Sequence, residues 1–184
     1  MCKLVAESTK HSLYIVVSQT GTVLSRILKL ITGAEYNHAS IALSNDLRLM
    51  YSFGRKNPYN PFYGGFVLES PDFGTFKRFS NTKVKIIKID IDEEKYNAVS
   101  NQIEYMVNNA DQFGYNYLGL IWAWFKIVKK YKNRYYCSEF VKDILVEQHI
   151  EGSENLRDIP QPVHFLDLPN TNLIYTGKLK DYNT

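Results

Sequence analysis

Residues 37–53 commit the chain to an antiparallel sheet. Asn37-His38-Ala39-Ser40-Ile41-Ala42-Leu43 alternates cleanly, with His38, Ser40 and Ala42 on one face and Ala39, Ile41 and Leu43 on the other. Ser44-Asn45-Asp46 reads as a hairpin turn into a second strand from Leu47 to Phe53. Further strands are predicted at Leu13 to Val17 and Phe66 to Glu69, at Lys83 to Ile91, and at Leu173 to Thr176. Strands mixed with helices and joined by hairpins argue α+β, with a mainly antiparallel sheet, rather than a doubly wound parallel sheet.

Four helices fall between these strands. Thr20-Gly21-Thr22 offers capping hydroxyls before Val23, Leu24, Ile27, Leu28 and Ile31, an amphipathic run closed by Gly33. Asp92-Glu93-Glu94 is a good helix start, followed by Tyr96, Val99, Ile103 and Met106 and ended by Asn108-Asn109. A third helix is expected from Tyr117 to Tyr131, and a fourth from Cys137 to about His149, ended by Gly152. Gly54 to Gly65, rich in Gly, Pro, Asn and Tyr, reads as an irregular excursion of a length often given to function. No repeat or low-complexity tract interrupts the 184 residues, so one domain over 1–184 is expected.

Composition excludes several classes. The net charge is +3, and the densest basic cluster (Lys126, Lys129, Lys130, Lys132 and Arg134) is too modest for a nucleic-acid footprint. Cys2 and Cys137 do not make a disulfide framework. The longest apolar run, Tyr117 to Val128, contains Lys126 and is too short to span a bilayer, so no stable membrane insertion is expected. No secretory or lipoprotein signal pattern opens the chain, and a cytoplasmic location is the expectation. His-x-Glu and Cys-x-x-Cys patterns are absent, as is a glycine-rich phosphate loop, so neither metal nor cofactor is called for.

Chemistry concentrates at Tyr135-Tyr136-Cys137-Ser138-Glu139-Phe140-Val141, where a cysteine opens a helix. Cys137, Val141 and Ile144 share the inward face. A thiol in a first helical turn feels the positive end of the peptide dipoles, which favours thiolate. A small buried apolar residue is the competing reading, because free cysteine is among the most buried residue types. Of the four histidines, His38 has the best setting, since Ser40 and Ala42 beyond it leave room for close packing. A satisfied core histidine would look the same in sequence. His149 lies about 18 Å along the helix from Cys137 and is too far to act. His164 stands in a proline-bounded segment and stays a candidate, whereas His11 belongs to the polar lead-in.

Tyr36-Asn37-His38-Ala39-Ser40-Ile41-Ala42-Leu43, followed far downstream by Tyr136-Cys137-Ser138-Glu139-Phe140-Val141, resembles the circularly permuted, NlpC-like branch of the papain-type cysteine hydrolases, and is similar to YiiX-like proteins. In this branch the histidine strand precedes the cysteine helix. The resemblance runs from about Leu13 to about Val146 and takes in Thr20-Gly21-Thr22, Gly64-Gly65 and Gly114-Tyr115-Asn116-Tyr117. It implies a permuted papain-like fold, an antiparallel sheet or half-barrel packed against the helix carrying the cysteine. It also implies Cys137 as nucleophile, His38 as general base and Tyr115 near the oxyanion. Relatives commonly carry a glutamate on the strand after the histidine strand. Ser52 is the matching position here and stands as the expected third catalytic member, with Glu69 on the next strand as a possible substitute. Glu139 is expected to point away from the thiol and act as a first-turn dipole partner.

The expected activity is therefore that of a cysteine peptidase or amidase, with a small peptide or acylated amine as substrate. A lipid-handling acyltransferase or thioesterase would use the same dyad, with Trp122, Trp124, Phe125 and the Pro58–Phe62 stretch as an acyl site or simply as core. A non-catalytic module retaining the cleft is the third reading, supported by the missing glutamate. Sequence leaves the oligomeric state open.

Overall fold

A computed structural model describes residues 10–20, 33, 35–57 and 59–183. Its strands are β1 (His11–Gln19), β2 (His38–Ala42), β3 (Met50–Asn57), β4 (Asn60–Glu69), β5 (Lys83–Ile91), β6 (Gly114–Tyr115), β7 (Arg134–Tyr135) and β8 (Thr171–Lys178). They join in one open sheet of order β7-β6-β4-β3-β2-β1-β5-β8, antiparallel except between β6 and β7. The architecture is α+β, as the hairpin pattern requires. β1 pairs along its whole length with β5, from His11↔Ile91 to Gln19↔Lys83, and with β2 on its other side. It is buried on both faces, hence its unbroken apolar run.

The helices are α1 (Gly74–Arg78), α2 (Glu93–Asn108), α3 (Tyr117–Trp124) and α4 (Cys137–Glu147). One sheet face, carrying Leu13, Ile15, Ala39, Ile41 and Phe53, packs against Val99 and Ile103 of α2 and against Phe140, Val141 and Ile144 of α4. The opposite face buries Val16, Ala42, Met50 and Ile86 under Phe76 of α1. Asp92 caps α2 as expected, its carboxylate accepting from the Lys95 N–H at 2.8 Å.

Three expectations change. Gly54 to Gly65 is a regular hairpin: β3 runs on to Asn57 and β4 returns from Asn60, with Gly54↔Gly65 and Arg55↔Gly64 paired. Glycine here thins the sheet for close approach rather than breaking it. α3 ends at Trp124, well short of Tyr131, and Lys126 takes φ +59°. The residues beyond, 125–130, are exposed and include β-branched Ile127 and Val128, so neither packing nor propensity extends the helix. α4 stops at Glu147, with His149 at φ +49° and Gly152 at φ +81° making the turn. The amphipathic helix expected before Gly33 lies outside the described residues.

Candidate active site

His38 opens β2, and the antiparallel register through Ile41↔Tyr51 sets it opposite Gly54 of β3. A Cβ at Gly54 would stand 3.6 Å from both His38 Cε1 and Glu69 Oε1. With no side chain there, the imidazole lies across β3 and reaches β4. Its Nε2–H donates to Glu69, at 2.9 Å from Oε1 and 3.0 Å from Oε2. Ser40, on the same face of β2, donates its hydroxyl to Glu69 Oε2 at 2.6 Å. The carboxylate is thus fixed from two sides, and Nδ1 is the ring nitrogen left for another partner.

That partner is Cys137. α4 packs its inward face on β2 and β3, and its first residue meets the start of β2 at His38. The thiol hydrogen-bonds to His38 and accepts from the backbone N–H groups of Ala39 and Ser138. Burial pushes the thiol up, but the His38 hydrogen bond and charge, with those two N–H groups, carry it below its ordinary value. His38 moves the opposite way: burial lowers it, and the Glu69 charge with the bond to Cys137 raises it well above the usual imidazole range. The two shifts favour a thiolate beside an imidazolium, the state in which a cysteine attacks and a histidine holds the proton for the leaving group.

The start of α4 is anchored on two sides. Ser138 donates its hydroxyl to the Pro160 carbonyl at 2.8 Å. Glu139 is buried and accepts from the Tyr136 N–H at 3.4 Å and from Asn116 Nδ2 at 3.3 Å, so it ties α4 to the cap of α3. This joins a structural bridge to its first-turn position. Tyr115 is near enough to Cys137 to feel the charge of its thiolate. Burial and the nearby Cys137 charge raise its phenol well above the usual range, so it keeps its proton. It pairs in register with Tyr135, and its ring centroid is 4.6 Å from that of Tyr117.

Ser52 does not meet the imidazole. It is fully buried and donates to the Ala39 carbonyl at 2.7 Å. The residue on the ring is Glu69, one strand further out, because Gly54 leaves the path across β3 open. Ser52 instead braces the residue whose N–H faces the thiol. His164 accepts from the Gln161 N–H through Nδ1 at 3.0 Å, and His11 stacks on Tyr96 at 4.5 Å, each held within its own neighbourhood. Among the described residues no group of three His, Cys, Asp or Glu side chains is placed to hold a metal ion.

Gly54 yields a graded test. An alanine methyl would make ordinary contacts, 3.4 Å to Val67 Cγ2 and 3.6 Å to the ring and carboxylate. The extra carbons of valine reach further into the same space. Gly54→Ala should keep the alkylation rate of Cys137 at pH 6, whereas Gly54→Val should lower it about tenfold by loosening the Glu69–His38 contact. Timed iodoacetamide labelling of the two variants checks this.

The sequence matches no known family model, no curated protein and no solved structure.

Proposed function

We propose that the chain is a cysteine hydrolase of the permuted papain-like kind, acting on an amide of a small peptide or acylated amine. The observation that carries this reading is the His38 ring bridging Glu69 and Cys137. A cysteine-bearing helix start set against an antiparallel sheet that carries the histidine, with the histidine first in the chain, supports the fold assignment.

In the reaction, the Cys137 thiolate attacks the carbonyl carbon and the C=O electrons move onto oxygen. The Cys137 N–H, in the first turn and without an intrahelical acceptor, and the Tyr115 hydroxyl are the donors suited to that oxyanion. Collapse breaks the C–N bond as His38 gives its proton to the departing amine, leaving a thioester. A water then attacks, His38 takes its proton, and the C–S bond breaks to release the acid and return the thiolate. Glu69 holds the ring's orientation and favours its charged form throughout.

The reading is tested by competitive labelling. At pH 6, iodoacetamide should modify Cys137 at least tenfold faster than Cys2, because an ordinary thiol is then almost wholly protonated. A Cys137 rate equal to or below that of Cys2 would overturn it. The acyltransferase reading is favoured by one observation, the exposed apolar residues Leu118, Ile121 and Phe125 that follow Tyr117. Added amine acceptors would divert the thioester in that case, whereas a hydrolase yields free acid alone. The non-catalytic reading rested on a missing acid, and Glu69 at 2.9 Å from the ring removes that support.

A further inference from the structure

We propose that the outer face of α3, with the lysine-rich segment after it, is a docking surface for an anionic lipid bilayer. Leu118, Ile121, Trp122 and Phe125 follow the i, i+3, i+4, i+7 spacing of one helical stripe. In an ordinary surface helix such a stripe is buried. Here Leu118 is 58%, Ile121 54% and Phe125 66% exposed, and Ile127 and Val128 extend the apolar surface past the helix end. Contiguous exposed apolar residues of this kind mark an interaction site.

Charge identifies the occupant. Lys126, Lys129, Lys130, Lys132 and Arg134 follow the stripe, and the sequence holds no acid between Asp111 and Glu139. Lys130 pairs with Asp143 at 3.0 Å, the one ion pair made by this cluster among the described residues. The Lys129 ammonium sits over the Trp122 ring, 4.6 Å from its centroid. Leucine, isoleucine and phenylalanine flanked by tryptophan and lysine suit the boundary between acyl chains and anionic headgroups: apolar tips enter, aromatic rings sit at headgroup depth, and ammonium groups stay with the phosphates. A protein partner matching this surface would need its own acidic apolar groove, whereas a bilayer supplies both chemistries at once. No helix among the described residues is long and apolar enough to cross a membrane, so the contact is peripheral.

The stripe is also mechanically joined to the candidate active site. Asn116 caps α3 by accepting from the Gly119 N–H at 2.8 Å, and the same side chain donates to Glu139 in the first turn of α4. Docking through α3 would therefore hold the start of α4, with Cys137, close to the headgroup layer. The docking surface does not depend on the thiol being catalytic.

The chain reports on this contact without labels, since its two tryptophans, Trp122 and Trp124, both lie in α3. Vesicles of phosphatidylcholine with about 30 mol% phosphatidylserine should blue-shift the tryptophan emission, and brominated acyl chains should quench it. Phosphatidylcholine alone should bind at least tenfold more weakly, and high salt should release the protein. Lys126→Gln with Lys129→Gln should weaken partitioning roughly 25-fold, at about fivefold per lysine. Leu118→Ser with Ile121→Ser should abolish the shift, with circular dichroism confirming the fold of each variant. Cys137→Ala should bind as the unaltered chain does, which separates this proposal from the catalytic one. No shift with anionic vesicles would overturn it. So would a dimer in sedimentation that Leu118→Ser dissolves while vesicle binding is absent, for the face would then belong to a second copy.

Discussion

Replacing His38 by alanine should slow iodoacetamide labelling of Cys137 at pH 6 by roughly 100-fold. Burial favours the neutral form of the thiol, and it is outweighed by the hydrogen bond and charge of the imidazole together with the N–H groups of Ala39 and Ser138. Without His38 the burial effect is left facing only the N–H groups of Ala39 and Ser138, and the thiol moves back toward or above its ordinary range. At alkaline pH the variant and the unaltered chain should converge, because both are then thiolates. Peptide-resolved mass spectrometry over pH 5 to 9, with Cys2 as internal standard, reads the whole curve. A change at pH 6 of less than about threefold would mean that His38 is not the group that lowers the thiol.

Glu69→Gln should narrow the pH window of reactivity from both sides. The Glu69 charge helps hold His38 well above its ordinary value, so its loss lets the imidazolium give up its proton at lower pH. Cys137 in turn loses part of its charged partner and needs a higher pH to ionise. The acid limb of the profile should therefore rise by about one unit, with roughly tenfold less labelling at pH 6, while the alkaline limb of any hydrolytic activity falls. Ser52→Ala is the matched control. It removes a buried bond to the Ala39 carbonyl and should cost about 1 kcal/mol in urea unfolding with both limbs in place. The reverse pattern, a shift for Ser52→Ala and none for Glu69→Gln, would return Ser52 to the third catalytic position.

Much of the sheet was legible because alternation and β-branched runs have one physical meaning when a face is buried. Lys83 to Ile91 and His38 to Ala42 are such cases, and Asp92 announces its helix through cap chemistry. The Gly54–Gly65 hairpin was hidden because composition speaks for local flexibility, whereas these glycines serve tertiary approach. A Cβ at Gly64 would stand 2.6 Å from Tyr117 Oη, and one at Gly65 would stand 2.8 Å from the Phe113 carbonyl. The contact of Glu69 with the His38 ring was hidden for the same reason. Counting along the hairpin brings Ser52 beside the histidine strand, but which side chain reaches the ring depends on the empty place at Gly54. α3 was overestimated because an apolar run does not say whether a core lies against it.

The chain order of the site has a consequence for biogenesis. His38 and Glu69 lie on β2 and β4, and β2 to β4 are consecutive strands that pair β2 with β3 and β3 with β4. Contacts this local close early, whereas α4 comes from much later in the chain and docks across the sheet. During synthesis Glu69 and His38 can therefore be in register before the ribosome has delivered Cys137. The influences that lower the Cys137 thiol act on it only once α4 docks on β2 and β3, and not while the chain is still shorter than that helix.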